Sequence, residues 1–197
     1  MNRLWHNKKL ACVFAGLVLT GCATTEPATS YYLLNGSRSA NFRRHPSGAT
    51  TVYVRRVDVP AYLTRPGLVT MNGGVRVTYA ATALWAEPLD QGIARAVAEG
   101  LSENSRIGAF GFSPAGPPPD HNYEVSIRLE RFEGSDTGQV LLRARWSVST
   151  SDSSASITNG TTEIRRGGWR PGDYSGLVRI LGNEVVQMSH QIARAIP

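Results

Sequence analysis

The chain reads as one α/β or α+β domain, a sheet with helices packed against it. Three observations predict this. Segments of strand and helix character run in the order strands, helix, strands, helix, which places helices on a sheet. Between Tyr123 and Arg165 three strand-like runs follow one another, enough for most of an antiparallel sheet. Two other segments each carry a single apolar stripe at helical spacing, as helices do when they bury one face. With 197 residues, 41% of them hydrophobic, the chain suits one domain with a sizeable core and is not a disordered chain.

The elements follow in order. Tyr31-Tyr32-Leu33-Leu34 is a short apolar first strand, and Asn35 to Ala49 is a turn-rich loop carrying Arg38, Arg43 and Arg44. Thr51 to Val59 is β-branched and strand-like, and Pro60, which cannot donate to a ladder, ends it. Leu68 to Met71 and Val75 to Tyr79 form a hairpin, because Asn72-Gly73-Gly74 between them supplies the positive φ angles of a tight turn. Asp90 is the expected N-cap of a helix to Ser102, with Ile93, Val97 and Leu101 on its buried face. Arg106 to Phe112 is a strand and Pro114 to Asp120 a stiff proline-rich loop. Tyr123, Val125, Ile127 and Leu129 alternate with polar residues in a half-buried strand. Gln139 to Thr150 and Ala155 to Arg165 are two more, joined by a serine-rich turn near Asp152. A helix from Asp173 to Ala195 closes the chain, striped by Leu177, Ile180, Leu181, Val185, Met188 and Ile192.

The first 21 residues are an export signal. Arg3, Lys8 and Lys9 precede an apolar run of ten residues, Leu10 to Leu19. That is half the roughly 20 residues a spanning helix needs, and it is the pattern of a cleaved secretory signal. Leu19-Thr20-Gly21-Cys22 resembles the bacterial lipobox, in which the cysteine receives diacylglycerol, the chain is cut before it, and the new amine takes an acyl chain such as palmitate. An ordinary signal peptide with an incidental cysteine is the plainer alternative. With acylation, Cys12 is discarded and Cys22 consumed, which leaves no thiol for disulfide, catalysis or metal. Two or more acyl chains anchor stably where one does not. Ala23 after the cysteine, where an Asp would signal retention at the inner membrane, favours the outer membrane by the lipoprotein sorting rule. Residues 22–30 form a flexible tether, whose eight residues beyond the cysteine reach roughly 26–29 Å when extended. The domain proper is 31–197.

Without its signal the net charge of +6 falls to +3, carried by eighteen arginines against fifteen acids. The charge is split: +5 over residues 22–86, −5 over 87–136, and +3 beyond. A reader of nucleic acid would carry one dominant basic face, and that class is set aside.

No known catalytic or metal motif appears. His45, His121 and His190 lack partners at metal-ligand spacing. Gly172-Asp173-Tyr174-Ser175-Gly176 has its serine one place late for a nucleophile elbow, and there is no phosphate loop or dinucleotide fingerprint. Glu130 and Glu133 are expected to face solvent from a strand. Asn35-Gly36-Ser37 and Asn159-Gly160-Thr161 read as turns. The pairs Arg43-Arg44, Arg55-Arg56 and Arg165-Arg166 suit either solvated strand ends or an acidic partner. Trp85, Trp146 and Trp169 belong in or beside the core, an interface role for one being the alternative.

Two stretches are more distinctive. Val54-Arg55-Arg56-Val57-Asp58-Val59-Pro60-Ala61-Tyr62-Leu63 resembles a segment of the PqiC-like lipoproteins, or ABC-type transport auxiliary components. Trp85-Ala86-Glu87-Pro88-Leu89, running into Ile93 to Val97, is similar to that family's strand end and following helix, and Tyr31 to Leu34 to its start. After Asn104 the likeness is mainly one of pattern. The resemblance implies a three-layer α/β sandwich with a mixed, largely antiparallel sheet and two main helices, similar to TolB amino-terminal or anticodon-binding-like folds. It further implies an outer-membrane lipoprotein, on the periplasmic face, that partners an MCE-domain protein of an ABC transport system and supports envelope integrity. It implies no enzyme and no cofactor beyond the acyl chains on Cys22. A ring-shaped partner would suit a homo-oligomer. Pro60, Tyr62, Leu63, Trp85 and Pro88 are the candidates for the functional face, with fold packing as their alternative role. Two rival functions stay open, an assembly lipoprotein for an outer-membrane β-barrel and an envelope hydrolase.

Overall fold

The computed structural model describes residues 27–34, 48–153 and 155–197. Cys22, the signal, most of the tether and the arginines of the 35–47 loop lie outside them. The strands are β1 (Ser30–Tyr32), β2 (Thr50–Val54), β3 (Gly67–Asn72), β4 (Arg76–Trp85), β5 (Ile107–Gly111), β6 (Tyr123–Ser135), β7 (Val140–Thr150) and β8 (Ser156–Arg166). The helices are α1 (Leu89–Leu101) and α2 (Tyr174–Ala195), and one 3-10 turn spans Ala61–Leu63.

Among the described residues all eight strands join in one mixed sheet with β6 at its centre. Along one side of β6 runs β7, antiparallel, and then β8. The other side is shared. β2 pairs in parallel with the start of β6 through Val52↔Tyr123, and β3 with its end through Thr70↔Gly134. β5 flanks β2, whereas β4 and then β1 flank β3. The sheet therefore divides into two arms along β6, and the chain from Arg55 to Pro66 crosses the division.

Pleating explains which residues are buried. Val125, Ile127 and Leu129 of β6 lie opposite Val148, Trp146 and Ala144 of β7, all on the face under the helices. The opposite face is charged: Glu130 accepts from Arg143 at 2.8 Å and Arg145 at 2.7 Å, and Glu124 from Arg55 at 2.9 Å. α1 packs on β2 and β5, α2 on β7 and β8, and the helices touch each other. The predicted stripes are buried at Ile93, Val97 and Leu101 on α1 and at Leu177, Leu181, Val185, Met188 and Ile192 on α2, whereas Ile180 is half-buried. Gly100 permits the helix contact, since a Cβ there would stand 2.0 Å from Ser189 Oγ. The α/β class, the mixed sheet and its two helices match the expectation.

Several local expectations are corrected. The strand expected over Thr51 to Val59 stops at Val54. Beyond it the regular ladder to β6 gives way to one isolated parallel bridge, Asp58↔Arg128. β4 runs past Tyr79 to Trp85. Asp90 does not cap α1. Pro88 holds that position, its carbonyl taking the N–H groups of Gln91 and Gly92, and Asp90 sits buried in the first turn. Asn159-Gly160-Thr161 is no turn but the middle of β8, where a Cβ on Gly160 would lie 2.3 Å from Trp146. Glu133 is 2% exposed, not solvent-facing, because the 3-10 turn covers it. The hairpin turn is as expected, with Gly73 at φ 57° and Gly74 at φ 76°.

Candidate functional site

Leaving β2, the chain keeps company with β6 without forming a regular ladder. Arg55 N–H donates to Val125 O at 3.0 Å, Asp58 N–H to Ile127 O at 2.9 Å, and Asp58 O accepts from Leu129 N–H at 2.8 Å. Pro60, at φ −65° and ψ 150°, turns the backbone into the 3-10 turn, where Leu63 N–H returns to Pro60 O at 2.9 Å. This folds residues 59–64 toward the first turn of α1. Between them lies a cleft of about 440 Å³. One wall is Arg56 to Val59 with Leu63 and Thr64, and the other is Pro88, Leu89 and Asp90. The two stretches that stood out in the sequence thus face each other.

The cleft has an apolar floor and a charged rim. Val57, Leu63 and Leu89 are buried, and Pro88 is exposed. Arg56 Nε donates to the buried Asp90 carboxylate across the cleft, and its guanidinium lies 5.8 Å from the Phe112 ring centre. Asp58 accepts from Arg128 Nε at 2.8 Å, and the Thr64 hydroxyl donates to Ala61 O at 2.8 Å. Each cleft carboxylate is thereby held by an arginine. Such a surface can seat an apolar side chain while its rim orients polar backbone.

The five candidate residues divide. Leu63 and Pro88 line the cleft, and Pro60 shapes it. Tyr62 points inward: its hydroxyl donates to Glu133 Oε2 at 2.8 Å, and its carbonyl accepts from Tyr79 Oη–H at 3.0 Å. Burial, reinforced by the Glu133 charge and hydrogen bond, pushes the Tyr62 hydroxyl well above the usual tyrosine range. Trp85 is buried with its ring 6.2 Å from that of Phe132, and its backbone N–H donates to Pro66 O at 2.7 Å. These two hold the fold. Cys22 lies outside the described residues.

Sequence reasoning missed the Arg56–Asp90 link. An acid two residues after a helix-opening proline was its one signal, since a carboxylate in a first turn favours the helix dipole. It also missed Arg95, which donates to Glu87 at 2.5 Å, Glu99 at 2.9 Å and Leu34 O at 3.1 Å, tying the end of β1 to α1. Among the described residues no cluster of three His, Cys, Asp or Glu is placed to hold a metal, and no helix is long and apolar enough to cross a membrane.

Comparison with known proteins bears on this arrangement. The family model described as the ABC-type transport auxiliary lipoprotein component matches residues 32–193. Intermembrane transport lipoprotein PqiC of Escherichia coli is 29% identical over 139 residues, covering 71% of this chain and 73% of PqiC, and PqiC of Shigella flexneri gives the same values. A crystal structure of an uncharacterized protein shares the fold with a TM-score of 0.70 at 24% identity, covering 87% of this chain and all of that one. A second, from Xanthomonas campestris, gives 0.60 at 14% identity over 76% of this chain and 85% of its own.

Proposed function

This chain belongs to the ABC-type transport auxiliary lipoprotein components, and from that membership we propose that it is the outer-membrane lipoprotein of an MCE-type lipid transport system. The observation that carries the reading is the extent of the match. It runs from β1 to α2 and takes in both walls of the cleft. PqiC, similar over most of the chain, is itself an intermembrane transport lipoprotein.

In this reading Cys22 carries diacylglycerol and an N-acyl chain, which hold the domain at the periplasmic face of the outer membrane. The tether lets the domain stand off the bilayer by up to roughly 26–29 Å. The domain docks the distal end of a conduit built by an MCE-domain protein, whose inner-membrane ABC transporter supplies the energy. The cleft between Leu63 and Pro88 is the docking surface, receiving an apolar side chain of the conduit against Val57 and Leu89. Loss of the contact weakens lipid traffic and with it envelope integrity. A ring of these domains would match a ring-shaped conduit.

Cys22→Ala tests the anchor and the partnership together. Fractionation is expected to move the variant from the outer membrane to the soluble periplasm, and purification from crosslinked envelopes to lose the MCE protein recovered with the wild type. A variant that stays in the membrane contradicts the anchor, and a β-barrel recovered in place of an MCE protein contradicts the partnership.

A further inference from the structure

Outward-facing side chains on β7 and β8 are mostly polar, Arg143, Arg145, Ser147 and Ser149 on β7 and Thr161, Glu163 and Arg165 on β8, and the apolar Leu141 of β7 is half-buried. β1 departs from that rule. Leu34, just past its end, is buried and Tyr32 half-buried, yet the alternate residues Tyr31 and Leu33 stand 66% and 46% exposed. Among the described residues the other large exposed hydrophobics, Val75 and Ile157, lie apart at a hairpin tip and early in β8. Among the described residues β1 is the outermost strand of its arm, paired with β4 alone, and Tyr31 lies beside the half-buried Leu84. It is also the strand into which the tether leads. Only residues 23–29 separate it from Cys22, so Tyr31 and Leu33 are never more than roughly 32 and 40 Å of chain from the acylated residue.

We infer that Tyr31 and Leu33 rest in the interfacial zone of the bilayer that holds Cys22, so that the β1 edge is a second membrane contact. The inference rests on the anchor reading above. A tyrosine ring partitions to the headgroup level of a bilayer, apolar body inward and hydroxyl wet, and a leucine beside it enters the acyl boundary. Two side chains would bind a membrane feebly alone. The lipid anchor removes that weakness, because a short tether keeps them at high effective concentration beside the bilayer. The contact fixes orientation: with β1 down, the arm ending in β5 points away from the membrane, toward the periplasm.

The mature acylated chain has no free thiol, so a single introduced cysteine takes an environment-sensitive fluorophore. The label is placed at Thr29→Cys, which leaves both apolar side chains intact, and at Leu33→Cys, with Val75→Cys and Ile157→Cys as exposed apolar controls. The lipidated full-length protein is incorporated into phosphatidylethanolamine–phosphatidylglycerol vesicles with and without spin-labelled lipid. Labels at 29 and 33 are expected to shift to the blue and lose at least half their emission to the spin-labelled lipid. Those at 75 and 157 stay unchanged. Adding Tyr31→Ser and Leu33→Ser to the protein labelled at residue 29 abolishes its shift while the protein still floats with the vesicles. Protein that floats while residues 29 and 33 behave like 157 overturns the contact and leaves the anchor standing. A shift that appears only on adding an MCE protein, and not with lipid, makes the edge a protein interface and also overturns it. Failure of the unsubstituted chain to float overturns the anchor and the inference together.

Discussion

Two buried carboxylates show how differently one side chain behaves with and without partners. Glu133 is buried and fully met: Tyr62 Oη–H and Phe132 N–H donate to Oε2 at 2.8 and 2.7 Å, and Arg131 Nε to Oε1. Glu184 of α2 is 1% exposed, and among the described residues neither of its carboxylate oxygens has a hydrogen-bond partner. Burial pushes its pKa from the ordinary 4.5 up to about 8, the Arg166 charge opposing only in part. Between those two values the folded chain holds a proton that the unfolded chain has lost, so stability falls as pH rises through that window. Glu184→Gln removes the dependence. Denaturant unfolding at pH 5 and pH 8.5 is expected to show the wild type losing on the order of 2–4 kcal/mol more than the variant. Parallel losses in both proteins contradict the assignment.

At the scale of elements, the two helices begin by different means. Asp173 caps α2, its Oδ1 accepting from Gly176 N–H at 2.9 Å, whereas α1 starts at Pro88 with no side-chain cap. Asp173→Ala is therefore expected to lower stability by about 1 kcal/mol, read as a lower denaturation midpoint at unchanged slope, and a neutral result would show that the cap is idle. Much of this level was legible in the sequence. The helical stripes, the Asn-Gly-Gly hairpin and the alternation from Tyr123 to Leu129 are local patterns, and each is found where it was expected. What could not be read locally depends on distant residues. Gly160 looks like a turn until Trp146 of the neighbouring strand is seen to need its missing side chain. Glu133 looks solvated until Tyr62, 71 residues away, covers it. Asp90 looks like a cap until Arg56 claims its carboxylate. The two distinctive stretches at Val54 and Trp85 were visible separately, but their meeting across one cleft follows only from the division of the sheet at β6.

For the whole molecule, the proposed anchor and the proposed docking surface would give the domain a membrane contact at β1 and a partner contact at the cleft. The tether enters at the β1 edge, and the cleft opens where the two arms part. The motif residues then divide: Tyr62 and Trp85 fix the walls, and the buried Leu63 and exposed Pro88 line the cleft between them. The central claim is that this surface meets an MCE-domain protein. The most direct measurement is photocrosslinking in intact cells from a benzoylphenylalanine placed at Thr64, an exposed cleft residue, with Asn159 on β8 as the control position. An adduct to an MCE-domain protein is expected from residue 64 and none from 159. An adduct from 64 only to an outer-membrane β-barrel, or no adduct while lipidation and folding are intact, would contradict the claim.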